Sequence, residues 1–495
     1  MTVPVVALTP RPDDDGLGVG ALPGALLELA ARDDFHRWEH QLADTGHCAH
    51  PIRLQGRVEA VDRVTGQAGL IYDTDTEPGQ VLRIACGNRR ENVCPACSQV
   101  YKNDARQIIR SGLTGGKGTP DTVAGHPCVF STFTAPGFGP VHTTRTGPRG
   151  RQLPCRPRRD ANQRRCPHGR DIACARRHQP DDPRLGRPMC PDCYDYTGHI
   201  LFNALAPELW RRFTIYLPRQ LARLTGITQK QLRSEVRVRF VKVAEYQARG
   251  VIHYHAVIRL DAPGDDWQPP PGRCSAALLS QAIRQAAAAV SYDTAMVAGT
   301  DPDLRRILRF GTQIDTRAIR PAADLPGTGT ALSAQAVANY IAKYATKTID
   351  APGLPTRPVH GPAAIAALHC GHHHKRLISV CWELGKHPAL GQLALNRWTH
   401  MLGYRGHFLT KSRRYSATFT QLRQARTTHR RTQRHPDGEK DPWGRNLDEH
   451  TVLVLAEWRY AGTGHTTAAE QQLALAATAR AREHDRIARE EAHMN

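Results

Sequence analysis

VRVRFVKVAEY (236–246) and VIHYHAVIRLD (251–261) decide how this chain is read. Both runs are rich in β-branched and aromatic residues, and Gln247-Ala248-Arg249-Gly250 separates them, which is the pattern of a β-hairpin. Side chains alternate faces along a strand, so His253 and His255 project to one side with Cα atoms about 7 Å apart. Two imidazoles held this way can share one divalent cation. Glu245, on the facing strand, adds the carboxylate that Mg²⁺ or Mn²⁺ prefers. In a chain with 25 His a lone His-x-His is a weak signal, and His372-His373-His374 supplies another in a Gly/His stretch. The hairpin, with its carboxylate, sets the first apart.

Working outward, SAQAVANYIAKYATKT (333–348) has helical periodicity with Ser333 as N-cap. Residues four apart share a helix face, so Tyr340 and Tyr344 stack one turn apart, with Lys343 and Lys347 as a second pair beside them. A single tyrosine there would be ordinary core packing. Two tyrosines interleaved with two lysines make a cationic face, which suits phosphate better than a core. A phenol of pKa ≈ 10 is a weak nucleophile. A cation on a scissile phosphate and a nearby ammonium would both favour its attack. Upstream, PCVFSTFTAP (127–136) reads as a buried strand stopped by a proline.

The chain's 495 residues suggest two to four domains, and 40% hydrophobic with 23% charged residues is ordinary globular composition. No run of apolar residues is long enough to span a bilayer, and the opening MTVPVVALTPRPDDD lacks a basic export leader. The expectation is a cytoplasmic protein that does not enter membranes. Lys plus Arg number 67 against 46 Asp plus Glu, a net charge of +21, which points to a polyanionic partner, foremost DNA. No G-x-x-x-x-G-K-S/T is present, and TGGKGT (114–119) has the wrong spacing for one, so unwinding DNA would fall to a host helicase.

Thirteen cysteines in an unexported chain are thiols or metal ligands. Cys94 and Cys97, and Cys190 and Cys193, have CxxC spacing, each half of a Zn²⁺ site. Cys86 and Cys48 complete the first pair, with His50 as the alternative to Cys48. Cys166 and Cys174 complete the second, with Cys155, His168 and His178 in reserve. Two structural zinc ions are thus expected. Cys128, Cys274, Cys370 and Cys381 read as small buried hydrophobes.

Composition divides the chain into a loose leader (1–32), an N-terminal zinc-binding segment (33–125), a central domain (126–350) and a basic, mostly helical C-terminal region (351–495). The central domain carries an insert at about 145–200, and 13 Arg with five Cys fall within 145–193. The insert has no sustained periodicity, so it needs something other than an apolar core to order it. An Ala-rich helix is expected over 275–298. From Leu384 to Pro436 there is no acidic residue and there are 11 Lys or Arg. Lys411, Arg413, Arg414, Arg430 and Arg431 are the predicted DNA contacts, with Phe408, Tyr415 and Phe419 placed to stack on bases.

Taken together, FSTFTAP (130–136), HYHAVIRLD (253–261) and YIAKYATK (340–347) resemble the three ordered motifs of the HUH endonucleases of rolling-circle replication. CGNRRENVCPACSQVY (86–101), CPDCYDY (190–196) and GHFLTKSRRYS (406–416) make the chain similar, more narrowly, to actinobacterial plasmid replication initiators, over most of 45–480. The resemblance implies an α+β fold: a central antiparallel sheet with flanking helices, the His pair on a middle strand and the tyrosine helix across it. It also implies a nickase and strand transferase that retains a 5′-phosphotyrosyl bond and leaves a 3′-OH for host polymerase. Both Val337/Tyr340/Lys343 and Ile341/Tyr344/Lys347 fit the family's nucleophile pattern. Tyr344 is taken as the initiating nucleophile and Tyr340 as the second. Two other readings compete: a zinc-dependent DNA-binding regulator without catalysis, and a relaxase or transposase using the same chemistry.

Overall fold

Placing the two histidines requires the sheet around them. The computed structural model describes residues 22–157, 165–264, 266–299, 301–320, 332–346, 353–446 and 452–494. It divides into two compact units, residues 102–422 and residues 1–101 with 423–495.

In the first unit the strands of the main sheet and the principal helices around it, in chain order, are β1 (Cys128–Phe133), α1 (Tyr196–Thr225), β2 (Arg237–Tyr246), β3 (Ile252–Asp261), α2 (Ala276–Ala289), β4 (Ile314–Arg320), β5 (Leu332–Ser333), α3 (Ala334–Thr346), α4 (His372–Leu384) and β6 (Leu409–Lys411). Six strands form one sheet in the order β5-β4-β1-β3-β2-β6. Every neighbouring pair is antiparallel except β4 with β5. The expected hairpin is β2–β3, closed by the Gln247 N–H donating to the Val251 carbonyl at 2.9 Å. Its register sets Glu245 opposite His253 and Val243 opposite His255, while β1 sets Thr132 on the other side of His255.

Alternation along β3 divides its side chains between two faces. Tyr254, Ala256, Ile258 and Leu260 join the main core, with Leu209 and Phe213 of α1, Ile283 of α2 and Leu377 of α4. Burial of these large apolar groups drives the assembly at ~25 cal/mol per Å² of apolar surface removed from water. His253, His255, Val257 and Arg259 are left on the opposite face. Asp195 caps α1 by accepting the Gly198 N–H at 2.8 Å, and Gly226, at φ 70°, ends it in the left-handed region.

Ser333 caps α3 as predicted, its Oγ accepting the Ala336 N–H at 3.1 Å. Val337, Ala338, Ile341 and Ala342 of α3 are buried, and the helix lies against β2. The Ala-rich helix is shorter than 275–298. It stops at Ala289, because Ser291–Asp293 leaves as a strand that pairs with Ile307–Arg309 and buries Tyr292 in the core.

In the second unit, strand Ile52–Asp62 is the spine. Val452–Thr463 pairs antiparallel along its length, and Ala68–Asp73 and Leu82–Ile84 also pair with it. Leu29, Trp38 and Leu42 from two N-terminal helices pack with Ala469 and Ala474 of the helix Ala468–Met494.

These units revise the expected domain boundaries. The 33–125 segment is not self-contained, since its main strand takes its longest partner from 452–463. The 351–495 region is not one helical domain. Leu377, Leu390, Leu395 and Leu402 belong to the core of the first unit, and the remainder contributes a 12-residue strand to the second.

Candidate active site and metal centres

Glu245 Oε2 lies 2.9 Å from His253 Nε2 and 3.0 Å from His255 Nε2, and the two imidazole nitrogens are 2.9 Å apart. Three donors from two adjacent strands thus converge on one point. Burial alone would raise the Glu245 carboxyl, but hydrogen bonds from His253 and His255 outweigh it and hold its pKa at about 2. Burial lowers the His255 pKa, against the pull of Glu245. An anionic carboxylate beside two imidazoles, with burial holding His255 toward its neutral form, is the donor set of a divalent cation. The Thr132 hydroxyl sits 3.2 Å from His255 Nδ1, so it can take that N–H and free Nε2 for a metal. Gln247 Nε2 is 3.3 Å from His253 Nδ1. Reading the sequence singled out neither Thr132 nor Gln247; cross-strand register is the signal that finds Thr132.

Both tyrosines reach this point. The Tyr344 ring stacks on His255 at 5.0 Å and 30°, and the Tyr340 ring meets His255 edge-on at 5.4 Å. The two phenol rings are 4.8 Å apart. Phe130 of β1 stacks under His255 at 5.7 Å and meets Tyr340 edge-on at 5.8 Å. Tyr340 is 45% exposed and Tyr344 half-buried, so an extended strand could reach either hydroxyl. Burial raises the Tyr344 phenol above its ordinary value, helped by a hydrogen bond with Tyr340 and by the Glu245 charge. A phenol held protonated in this way needs a compensating positive charge to act as a nucleophile. Lys343 is exposed on the same helix; Lys347 lies outside the described residues.

The cysteines gather into clusters. Cys48, Cys86, Cys94 and Cys97 converge as predicted, with Sγ–Sγ separations of 3.6–3.7 Å. A tetrahedron with Zn–S of about 2.3 Å has sulfur–sulfur edges of about 3.8 Å, so the four thiols fit the ion. Hydrogen bonds from Cys48, Cys86 and Cys97 depress the Cys94 thiol. His50 is not part of this cluster. The second site departs from expectation in one ligand: Cys166, Cys190 and Cys193 are joined by His168, whose Nδ1 is 3.2 Å from Cys193 Sγ and 3.8 Å from Cys190 Sγ. Cys174 is absent from it. A backbone bridge to Arg156 holds Cys174 with a different group of residues. Cys128, Cys274, Cys370 and Cys381 are buried, as expected for small hydrophobes.

The basic tract changes character on folding. Lys411 donates to the carbonyls of Ser412, Arg413 and Ser416, at 3.4, 3.1 and 2.8 Å, so its ammonium ties a turn instead of meeting phosphate. Phe408 and Tyr415 are buried and unavailable for base stacking, and Phe419 packs against a small core of Ile108, Ala417 and Leu422. Arg413, Arg414, Arg430 and Arg431 remain exposed. Arg430 donates to the Asp44 carbonyl at 3.1 Å, and Arg431 pairs with Glu439. His373 and His374 are core residues, His373 bonded to Tyr196 and to the Arg249 carbonyl, and burial lowers both to about 4.

A protein-family model described as the replication initiator protein of pSAM2, RepSA, matches residues 34–479, and the chain belongs to that family. A replication initiator protein of Streptomyces ambofaciens is 42% identical over 445 residues, covering 90% of each chain. No solved structure matches the chain. No helix among the described residues is long and apolar enough to cross a membrane.

Proposed function

We propose that this plasmid replication initiator binds its origin DNA and nicks one strand by tyrosine attack, in the manner of the HUH endonucleases. The Tyr344 oxygen gives up its proton to solvent and forms a bond to the scissile phosphorus, the bond to the 3′ oxygen breaks, and that oxygen takes a proton from solvent and leaves as a 3′-OH while the 5′-phosphate stays on the tyrosine. A divalent cation, Mg²⁺ or Mn²⁺, held by Glu245, His253 and His255 would polarise the phosphate oxygens. Around that site the chain's own residues orient the reaction: Thr132 fixes the His255 ring and Phe130 supports it from below. Tyr340, one turn away, serves the second transfer that rejoins the strand at termination. Two Zn²⁺ ions, on Cys48/Cys86/Cys94/Cys97 and on Cys166/His168/Cys190/Cys193, hold the fold. The free 3′-OH would prime host polymerase, and a host helicase would open the duplex.

The observation that carries this reading is the Tyr344 ring stacked on a histidine whose Nε2 lies within 3.0 Å of two further metal donors. A regulator without catalysis has no use for that juxtaposition. The test is a labelled single-stranded origin oligonucleotide incubated with protein and Mn²⁺. Wild type should form a covalent adduct stable to denaturant, while Tyr344→Phe, His255→Ala and EDTA should each reduce it to background. Tyr340→Phe should form the first adduct but transfer the strand poorly. Adduct formation by Tyr344→Phe at the wild-type rate would refute the assignment.

A further inference from the structure

Between His142 and Cys190 the chain has almost no core. Among the described residues of this stretch, Cys155, His178, Gly186 and Cys190 are buried, and three of the four carry a thiol or an imidazole. Cys190 belongs to the site already described. Cys155 and His178 do not; they converge with His142 and Cys174, and one ligand atom from each of the four lies within 4.8 Å of the others.

The local geometry is that of a tetrahedral ion site. His178 Nδ1 is 2.7 Å from Asp182 Oδ2, a contact that puts the ring proton on Nδ1 and leaves Nε2 as a lone pair. That Nε2 is 3.1 Å from His142 Nδ1 and 3.5 Å from Cys174 Sγ. Zn–N of about 2.0–2.1 Å and Zn–S of about 2.3 Å give tetrahedral edges of about 3.3 Å between nitrogens and 3.6 Å between nitrogen and sulfur. Backbone hydrogen bonds in both directions between Arg156 and Cys174, at 2.9 and 2.8 Å, bring Cys155 and Cys174 side by side. The Thr143 N–H points at Cys155 Sγ from 3.3 Å, as amides do toward thiolate ligands. A carboxylate behind one histidine and an amide behind one sulfur are the outer contacts that metal ligands acquire.

We propose that His142, Cys155, Cys174 and His178 bind a third Zn²⁺, in a Cys₂His₂ site distinct from the two cysteine-rich sites above. Its ligands interleave with those of the second. His142 and Cys155 come first in the chain, then Cys166 and His168 of the other ion, then Cys174 and His178, then Cys190 and Cys193. The two ions therefore cross-brace the insert: each closes a loop through which the other's ligands pass. An Arg-rich segment with no apolar core draws its order from metal binding, because the binding free energy of a structural zinc is folding free energy.

The test is zinc content of the full chain purified without chelator, measured by inductively coupled plasma mass spectrometry. It is made in a Glu245→Ala/His253→Ala/His255→Ala background, so that the active-site donors cannot contribute and the result is independent of nicking. Three zinc ions per chain are expected, and two would overturn the proposal. Adding His178→Ala should lower the count by at least one, whereas His178→Cys, which keeps a tetrahedral donor set, should hold it at three. A His178→Ala chain that still carries three ions would also overturn it.

Discussion

Lys242 shows how strongly single side chains are strained by this sheet. It lies on β2 with 3% exposure, on the face opposite Glu245, its ammonium 4.0 Å above the Tyr254 ring and 5.5 Å from that of Trp210. Burial lowers its pKa from 10.5 to about 7, and the aromatic faces only partly replace water. Above pH 10.5 the lysine is neutral folded or unfolded, and burial carries no charge penalty. As pH falls from there toward 7 the unfolded chain takes up the proton that the folded chain refuses. Stability is therefore lost over that window, reaching on the order of 3–5 kcal/mol below pH 7. Lys242→Met should raise the melting temperature at pH 6.5 and flatten the rise in stability between pH 7 and 10. Thermal melts across that range would disprove the account if both proteins kept the same slope. Such a charge is not legible from VKVAEY, where Lys242 reads as the solvent-facing partner in an alternating strand. Glu245, His253 and His255 were legible, because a four-residue hairpin connection fixes which residues face each other. Lys411, expected to meet DNA, misled for a like reason: sequence shows charge, and only the fold shows what the charge touches.

At the scale of elements, β3 does two jobs at its two ends. Near its start it presents the histidine pair; at its end Arg259 and Asp261 form a buried ion pair. Arg259 Nε and Nη2 reach the two Asp261 oxygens at 2.7 and 2.8 Å, and His126 Nδ1 is 2.8 Å from Asp261 Oδ1. Arg259 also donates to the Gly112 carbonyl, so the pair fastens the strand to the end of the helix Pro95–Thr114. Asp261→Ala would leave a fully buried guanidinium without its carboxylate, a loss of about 3–5 kcal/mol. Arg259→Met/Asp261→Ala, which removes both charges, should recover most of that loss. Urea unfolding decides the matter: equal stability for the single and double variants would mean that the charge is compensated elsewhere. Helix ends and local turns were legible at this scale, Ser333 and the Gln247–Gly250 connection among them. Two longer-range features were not. The 52–62 strand alternates in sequence, but nothing in that alternation selects a partner some four hundred residues away. Likewise Cys166, Cys174, Cys190 and Cys193 carry no mark of which cluster each joins, because the two clusters interleave along the chain and neighbours in sequence do not share one.

Over the whole molecule, the positive excess belongs to the unit that carries the tyrosines: residues 102–422 hold 46 Lys and Arg against 21 Asp and Glu, whereas residues 1–101 with 423–495 hold 21 against 25, so any phosphate contact there rests on local basic clusters. Arg413 and Arg414 belong to the unit that carries the tyrosines, on the turn after β6 that Lys411 holds in place. Arg430 and Arg431 belong to the other unit, on the helix Phe419–Arg434, where with Arg434 they border a groove against Ile71 and Val454. Each phosphate neutralised contributes about −0.9 to the slope of log K against log salt. If both units hold origin DNA, Arg413→Ala/Arg414→Ala and Arg430→Ala/Arg431→Ala should each flatten that slope by up to ~1.8, and the four changes together by up to ~3.6. Arg431 already pairs with Glu439, so its pair should fall short of the full value, and Glu439→Gln should make up the difference. All of these variants should still form the Tyr344 adduct on a short single strand at high protein concentration, since none touches the metal donors or the tyrosines. Binding titrations at several salt concentrations separate the cases. If only one pair changes the slope, duplex contact belongs to one unit alone. If neither does, the 13 arginines of residues 145–193 become the surface to test.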